Sequence, residues 1–157
     1  MNLISHKSRH GIWFYGMSGS GKTFASSISS TVIESSFVVD GDDVRKFISC
    51  DLGYSMSDRK IQLNRVLGIA QLAINNRTFP IISTVSMTSK ILEKCASFGI
   101  EVVQIVRPLE QLKEVRSIYQ TEQNVVGKDI QIEALACAKL YNYGQDEFIE
   151  VITDYVK

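Results

Sequence analysis

The 157-residue chain has the composition of an ordinary globular domain, with 45% hydrophobic and 22% charged residues. Its 17 basic residues balance its 17 acidic ones, which argues against a nucleic-acid or anionic-membrane binder. No apolar run approaches a membrane span, and residues 1–10 lack the apolar stretch of a signal peptide. We therefore expect one domain over residues 1–157, with a solvated tail over residues 1–10.

Short apolar runs alternate with longer helical patterns along the chain. Continuous runs predict buried parallel strands at Ile12–Tyr15, Phe37–Val39, Phe79–Thr84 and Val102–Val106. Helices are predicted from near Lys22, over Ser57–Asn76, from a Thr88 cap to a terminating Gly99, and over Leu109–Tyr119, Glu133–Tyr141 and Gln145–Val156. This alternation predicts an α/β fold of three layers, α/β/α, with a mainly parallel sheet.

Two further patterns concern the helices. The serine-rich stretch Ser26–Ser36 is threaded by apolar residues, so we interpret it as the polar face of a helix followed by a turn. Cys95 and Cys137 fall in helical apolar patterns and are expected in the core. The three cysteines lack metal-ligand spacing and suit reduced thiols, so a cytoplasmic location is expected.

The stretch Gly16–Thr23 reads GMSGSGKT and matches G-x-x-x-x-G-K-[ST], the phosphate-binding P-loop. It stands between a predicted strand and a predicted helix, which disfavours an ordinary Gly/Ser-rich loop. Its glycines allow a tight turn whose N–H groups face a phosphate chain at a helix N-terminus. Lys22 is expected to reach the β- and γ-phosphates and Thr23 to ligate Mg²⁺. The motif predicts binding of a nucleoside triphosphate.

A second charged stretch, Asp40-Gly41-Asp42-Asp43-Val44-Arg45, follows the second predicted strand. One aspartate can hold Mg²⁺ directly or through water, and another can orient or deprotonate an attacking hydroxyl. Arg45 could clamp a substrate phosphate. The alternative is a solvated Asp/Gly turn, which the neighbouring P-loop disfavours because ligands bind at the carboxyl ends of parallel strands.

Three motifs in tandem resemble those of the adenylyl-sulfate (APS) kinase family. The P-loop is similar to the family's G-L-S-G-[AS]-G-K-[ST], and the stretch from Asp40 to Arg45 resembles D-G-D-N-[VI]-R with Asp43 in place of Asn. The stretch Asp51–Ser55 reads DLGYS and, with Asp58-Arg59, resembles the family's D-L-G-[FY]-S and D-R. The resemblance runs from about Ile12 to Asp129.

The resemblance implies a kinase that uses ATP and Mg²⁺ to phosphorylate the 3'-hydroxyl of a small nucleotide acceptor, with a lid over about residues 119–130 and homodimer formation. The ATP contacts that it implies are Gly16, Ser18, Gly19, Ser20, Gly21, Lys22, Thr23 and Arg116. The implied catalytic residues are Lys22, Asp40 and Asp42, and the implied Mg²⁺ ligands are Thr23, Asp40 and Asp42. The implied acceptor contacts are Arg45, Tyr54, Arg59, Gln62, Ser86 and Lys128.

The sequence departs from the family pattern on the acceptor side. Gln62 replaces an Asn and Asn64 replaces an Arg in the family's x-E-N-I-R-R-V. The family's F-I-S-P-[FY]-R becomes Thr84–Ser89, of which Ser86 alone matches, and the lid lacks part of a basic run. Two acceptors therefore stay open: adenylyl sulfate, and another activated nucleotide such as CDP-phosphoramidate of capsule synthesis, which the departures favour. A regulatory nucleotide-binding protein without catalysis is the alternative of another class.

Overall fold

The computed structural model describes residues 8–123 and 125–157; residues 1–7 of the predicted tail and Asn124 of the predicted lid lie outside the described residues. In the described part of the chain, five parallel strands form one sheet in the order β2-β3-β1-β4-β5. The strands are β1 (Gly11–Tyr15), β2 (Ser36–Asp40), β3 (Phe79–Thr84), β4 (Ile100–Val106) and β5 (Ala138–Tyr141). All four strands predicted from the sequence are present.

The helices are α1 (Lys22–Val32), α2 (Gly41–Phe47), α3 (Met56–Asn75), α4 (Ser89–Phe98), α5 (Leu109–Val115), α6 (Ile118–Thr121) and α7 (Gln145–Val156). Thr88 caps α4 by accepting from the Ile91 N–H, and Gly99 ends that helix with a left-handed φ of 72°, as predicted. Over the described ranges, no helix combines the length and apolar character needed to cross a bilayer.

The two faces of the sheet carry separate buried clusters because successive side chains of β1 point in opposite directions. Trp13 and Tyr15 pack with Leu63, Val66 and Ala70 of α3 and with Ile91 and Cys95 of α4. Ile12 and Phe14 pack with Ala25 of α1 and with Phe148, Ile152 and Val156 of α7. The three-layer α/β/α prediction and the buried position of Cys95 are confirmed.

The predicted helix Glu133–Tyr141 is wrong. Ala138–Tyr141 is the edge strand β5, which pairs with Val103–Val106 of β4, and residues 133–137 are not helical. Within β5 half-buried and exposed residues alternate, which is the period of a strand with one solvated face. Cys137 lies just before this strand, with its thiol 3.5 Å from the Tyr15 hydroxyl, so its predicted place in a helix is also wrong.

Three smaller expectations need correction. The predicted helix Leu109–Tyr119 is divided, because Arg116 has extended backbone (φ −136°, ψ 108°) between α5 and α6. The serines of α1 do not form one polar face, since Ser26 and Ser29 are buried. Residues 1–10 are not wholly a solvated tail, because Arg9 forms a 2.7 Å ion pair with Glu101.

Candidate active site

The P-loop leaves the carboxyl end of β1 and leads into α1. Gly19 and Gly21 adopt positive φ angles of 81° and 107°. A Cβ atom at Gly21 would lie 2.6 Å from Asn142 Nδ2, and one at Gly19 would lie 2.8 Å from Arg116 Cγ. Glycine is therefore required at both positions for backbone conformation and for close packing.

Four consecutive carbonyl groups of the loop, from Met17 to Ser20, accept side-chain hydrogen bonds. The donors are Lys22 Nζ to Met17 O (2.8 Å), Tyr119 Oη to Ser18 O (2.6 Å), Arg107 Nη1 to Gly19 O (3.2 Å) and Asn142 Nδ2 to Ser20 O (2.8 Å). Because the C=O and N–H of a peptide point in opposite directions, these bonds also fix where the loop's N–H groups point. These four bonds thus hold the loop in one conformation, in which the Ser20 N–H donates to Met17 O at 3.1 Å.

Arg107 and Asn142 were not predicted from the sequence as site residues. Each follows the end of a strand, Arg107 after β4 and Asn142 after β5. The rule that ligands bind at the carboxyl ends of parallel strands could have found Asn142 if β5 had been predicted as a strand. Neither residue belongs to a local motif.

Lys22 carries a buried ammonium group at the start of α1. Burial lowers its pKa from the usual 10.5 to about 8, against the opposing attraction of Asp42 and Asp40, and Arg116 lowers it further. Burying a cation without a full counter-charge is unfavourable, so an anion in the cavity would stabilise the charged form. This is the electrostatic setting expected for a phosphate-binding lysine.

Asp40 ends β2 and is held by donors from three directions. Its Oδ2 accepts from Thr23 Oγ1 at 3.0 Å and from Ser83 Oγ at 2.8 Å. Its Oδ1 accepts from the Asp42 N–H at 2.9 Å, which caps α2. The exposed Asp42 side chain lines the same cavity. The Asp40 carboxylate is therefore held in place by hydrogen bonds within the fold, whereas the Asp42 carboxylate is accessible to a ligand.

The donor set suits magnesium. Thr23, Asp40 and Asp42 offer hydroxyl and carboxylate oxygens, which Mg²⁺ prefers, and it commonly combines one or two carboxylates with substrate phosphates. Within residues 8–123 and 125–157, no three His, Cys, Asp or Glu side chains cluster as a complete protein-only metal site. These residues fit a cation that is shared with a nucleotide.

One cavity of about 130 Å³ joins the P-loop to the rest of the predicted site. The predicted residues that line it are Ser18, Gly19, Lys22, Thr23, Asp40, Asp42, Arg45, Tyr54, Arg59, Gln62, Ser86 and Arg116. The lining residues that the sequence analysis missed as site residues are Gly41, Leu63, Ser83, Thr84 and Val85. The predicted site residues that do not line it are Gly16, Ser20, Gly21 and Lys128. The exposed Lys128 side chain donates to Glu122 O at 2.9 Å.

The end of the cavity at which the sequence predicts the acceptor, here called the acceptor end, combines an aromatic ring with two cations. Arg45 Nη1 donates to Gly53 O at 2.7 Å, and its guanidinium carbon lies 4.4 Å from the centroid of the Tyr54 ring. Arg59 Nε donates to Tyr54 O at 3.0 Å, and its guanidinium carbon lies 5.5 Å from the same centroid. Burial, followed by repulsion from Arg45, lowers the pKa of Arg59. The Tyr54 side chain, 62% exposed, offers a stacking surface beside positive charge.

Gln62 links the two halves of the cavity from α3. Its Nε2 donates to Gly41 O at 3.0 Å, so this buried side chain supports the turn that carries Asp40 and Asp42. The predicted acceptor residue therefore also has a structural contact inside the protein.

A P-loop between β1 and α1, an aspartate at the end of β2 that accepts from Thr23, and helices on both faces of a parallel sheet define a P-loop kinase fold. The sequence pattern of the adenylylsulphate kinase family matches residues 8–119. The chain belongs to this family. Both the fold class and the family resemblance inferred from the sequence are confirmed.

Individual relatives agree with this assignment. Adenylyl-sulfate kinase of Pseudomonas aeruginosa is 35% identical over 83 residues, which covers 50% of this chain and 42% of that protein. A probable adenylyl-sulfate kinase of Halalkalibacterium halodurans is 39% identical over 74 residues, covering 45% of this chain and 35% of that protein. The chain thus matches less than half the length of these relatives.

A solved structure extends the likeness over nearly the whole chain. The Mycobacterium tuberculosis APS kinase CysC, in complex with AMPPNP and APS, has a TM-score of 0.81. The match covers 93% of this chain and 96% of that one at 23% identity. At this identity the likeness shows a shared fold.

Proposed function

We propose that the protein is an ATP-dependent kinase that transfers the γ-phosphoryl group to the 3'-hydroxyl of an activated nucleotide. The observation that carries this proposal is the single cavity that joins the P-loop to Asp42 and to the Arg45–Tyr54–Arg59 group. Family membership supports adenylyl sulfate as the acceptor. A cytoplasmic location and a homodimer remain predictions of the sequence.

The chemistry follows from where the side chains lie. The P-loop N–H groups and Lys22 bind the nucleotide phosphates, and Thr23 and Asp40 would hold Mg²⁺, which neutralises phosphate charge when bound. Asp42 orients the acceptor hydroxyl and takes its proton while the 3'-oxygen forms a bond to the γ-phosphorus. The bond between the γ-phosphorus and the bridging oxygen breaks, and ADP leaves. Arg45 and Arg59 bind the anionic side of the acceptor, and Tyr54 stacks on its base.

Two observations on the acceptor side favour a second acceptor. The residue in place of the family's Asn, Gln62, has its amide nitrogen engaged by Gly41 O, and of the next acceptor motif Ser86 alone is retained. The residues at the predicted acceptor contacts therefore differ from the family pattern, as expected if the enzyme acts on another activated nucleotide such as CDP-phosphoramidate in capsule biosynthesis.

The exchange Asp42→Asn tests the catalytic assignment. It should lower kcat by roughly 10²–10⁴-fold, the usual contribution of a general base, and leave ATP affinity nearly unchanged. ADP release at saturating Mg²⁺, ATP and acceptor measures kcat, and calorimetry with a non-hydrolysable ATP analogue measures affinity. The matched control is Asp43→Asn on the same exposed turn, which restores the family's residue and should stay active. Equal activity of both variants would contradict the assignment.

An acceptor panel decides the substrate. Wild-type protein is assayed with adenylyl sulfate, CDP-phosphoramidate and plain nucleoside monophosphates under identical conditions. Selective turnover of adenylyl sulfate supports the family reaction, whereas turnover of CDP-phosphoramidate alone supports the second acceptor. ATP binding without turnover of any acceptor would instead favour a regulatory nucleotide-binding protein.

A further inference from the structure

Ser83 lies beside the Asp40 carboxylate because of strand register. Parallel pairing of β2 with β3 places Asp40 opposite Ser83 at the carboxyl ends of the two strands. The Ser83 side chain is buried, 2% exposed, and its hydroxyl donates to Asp40 Oδ2 at 2.8 Å. Ser83 lies just before Thr84–Ser89, the stretch that stands in place of the family's F-I-S-P-[FY]-R, so it belongs to none of the motifs.

The bonds around Asp40 fix the orientation of its carboxylate. A carboxylate has about four acceptor positions, two on each oxygen. Thr23 Oγ1 and Ser83 Oγ fill both positions of Oδ2, and the Asp42 N–H fills one of Oδ1. The group cannot rotate without breaking these bonds, and one position on Oδ1 remains for a cation or its water.

The same arrangement orients Thr23. A hydroxyl has one proton and two lone pairs, and Thr23 Oγ1 gives its proton to Asp40 Oδ2. Its lone pairs are therefore available to a cation. Without the second donor on Oδ2, the carboxylate could turn and the Thr23 hydroxyl would lose its fixed acceptor.

We propose that Ser83 is a positioning residue for the divalent cation that accompanies the nucleotide. It acts through Asp40 on Thr23 and does not ligate the cation itself. The inference rests on the proposed function, because the cation is the one that a P-loop kinase binds together with its nucleotide. Loss of an outer hydrogen-bond partner of a metal ligand typically lowers metal affinity by about 10–100-fold, and we expect about 10-fold here.

The test measures cation binding apart from catalysis. Mn²⁺, a paramagnetic substitute for Mg²⁺, is titrated into the protein saturated with ADP, and unbound Mn²⁺ is followed by electron paramagnetic resonance. Ser83→Ala should raise the Kd for Mn²⁺ about 10-fold, and Ser83→Thr, which retains a hydroxyl, should restore it. Affinity for ADP in EDTA and the Tm should change little, which separates the effect from a damaged P-loop or fold.

Ser26 provides a matched control. Its side chain is also buried, and its hydroxyl has no hydrogen-bond partner among the described residues. Ser26→Ala should leave the Kd for Mn²⁺ unchanged. An unchanged Kd in Ser83→Ala, or an equal rise in Ser26→Ala, overturns the positioning role. A wild-type protein that binds no ADP, or binds Mn²⁺ no better with ADP than without it, overturns the proposed function together with this inference.

Discussion

The two ends of the active-site cavity are held in different ways. At the phosphate end, donors from Arg107, Tyr119 and Asn142 reach the P-loop across 88 to 122 positions of sequence. At the acceptor end, Arg45 and Arg59 bond to carbonyl groups only 8 and 5 positions away. The phosphate end is thus built by the tertiary fold, whereas the acceptor end is held by short-range contacts around an exposed ring.

This difference bears on how acceptor choice can change. Replacing a residue among the short-range contacts leaves the sheet and the P-loop supports in place, so the acceptor end can vary without loss of the fold. A change at the phosphate end affects buried contacts between distant elements. The sequence retains the P-loop and also Arg45, Tyr54 and Arg59. Its departures on the acceptor side lie at other positions: Gln62, Asn64 and residues 84–89.

Among changes at the phosphate end, we expect Lys22→Met to have the largest effect on the free energy of unfolding. The folded pKa of Lys22 lies near 8 and its ordinary value is 10.5, so folding disfavours the charged form. The charged Lys22 lowers the free energy of unfolding by about 3 kcal/mol, and this loss is fully present below pH 8. Between pH 8 and pH 10.5 Lys22 is neutral in the folded chain and still protonated in the unfolded chain, so the loss declines as the pH rises. The variant also loses the bond from Lys22 Nζ to Met17 O, about 1 kcal/mol at both pH values. Lys22→Met should therefore still unfold at higher urea than wild type at pH 7, with a smaller advantage at pH 9.5.

The measurement is made without nucleotide in buffer containing EDTA, so that no bound anion or cation alters the charge of Lys22. Lys90→Met, at an exposed position of α4, is the control and should give the same small difference from wild type at both pH values. An advantage of Lys22→Met that does not change between pH 7 and pH 9.5 would contradict the depressed pKa.

At the acceptor end, Arg45→Gln should weaken acceptor binding and leave ATP binding unchanged. A hydrogen bond to a charged group contributes about 1.5–3 kcal/mol, so KM for the acceptor should rise by roughly 10–100-fold. Arg65→Gln is the control, since Arg65 pairs with Asp51 at 2.6 Å and does not line the cavity. Initial rates at saturating ATP measure the effect. Equal changes in both variants would show that general charge near α3, not contact with the acceptor, sets KM.

The difference between short-range and long-range contacts also explains which parts of the site the sequence could predict. The P-loop is one unbroken run of sequence, and so is the stretch from Asp40 to Arg45. Residue types and spacing within each run were therefore enough to predict both parts of the site. The pairing of Asp40 with Ser83 joins residues 43 positions apart and depends on strand register, which no local pattern fixes. Asn142 was missed because its strand, β5, is a short edge strand preceded by residues with helical apolar spacing.

The smallest effect should come from Tyr119→Phe, which removes one hydroxyl and keeps the ring. The Tyr119 hydroxyl donates to Ser18 O at 2.6 Å, and burial raises its pKa to about 12, so it remains a donor at neutral pH. Losing this bond costs about 1 kcal/mol, and affinity for ADP should fall about five-fold. Affinity for adenosine should not change, because the P-loop contacts phosphate. The control is Tyr155→Phe, which removes a hydroxyl bonded to Glu101 at 2.6 Å, outside the cavity lining. Calorimetry with both ligands measures the effect, and an equal loss for adenosine would mean that Tyr119 supports the fold generally and not the phosphate end of the cavity.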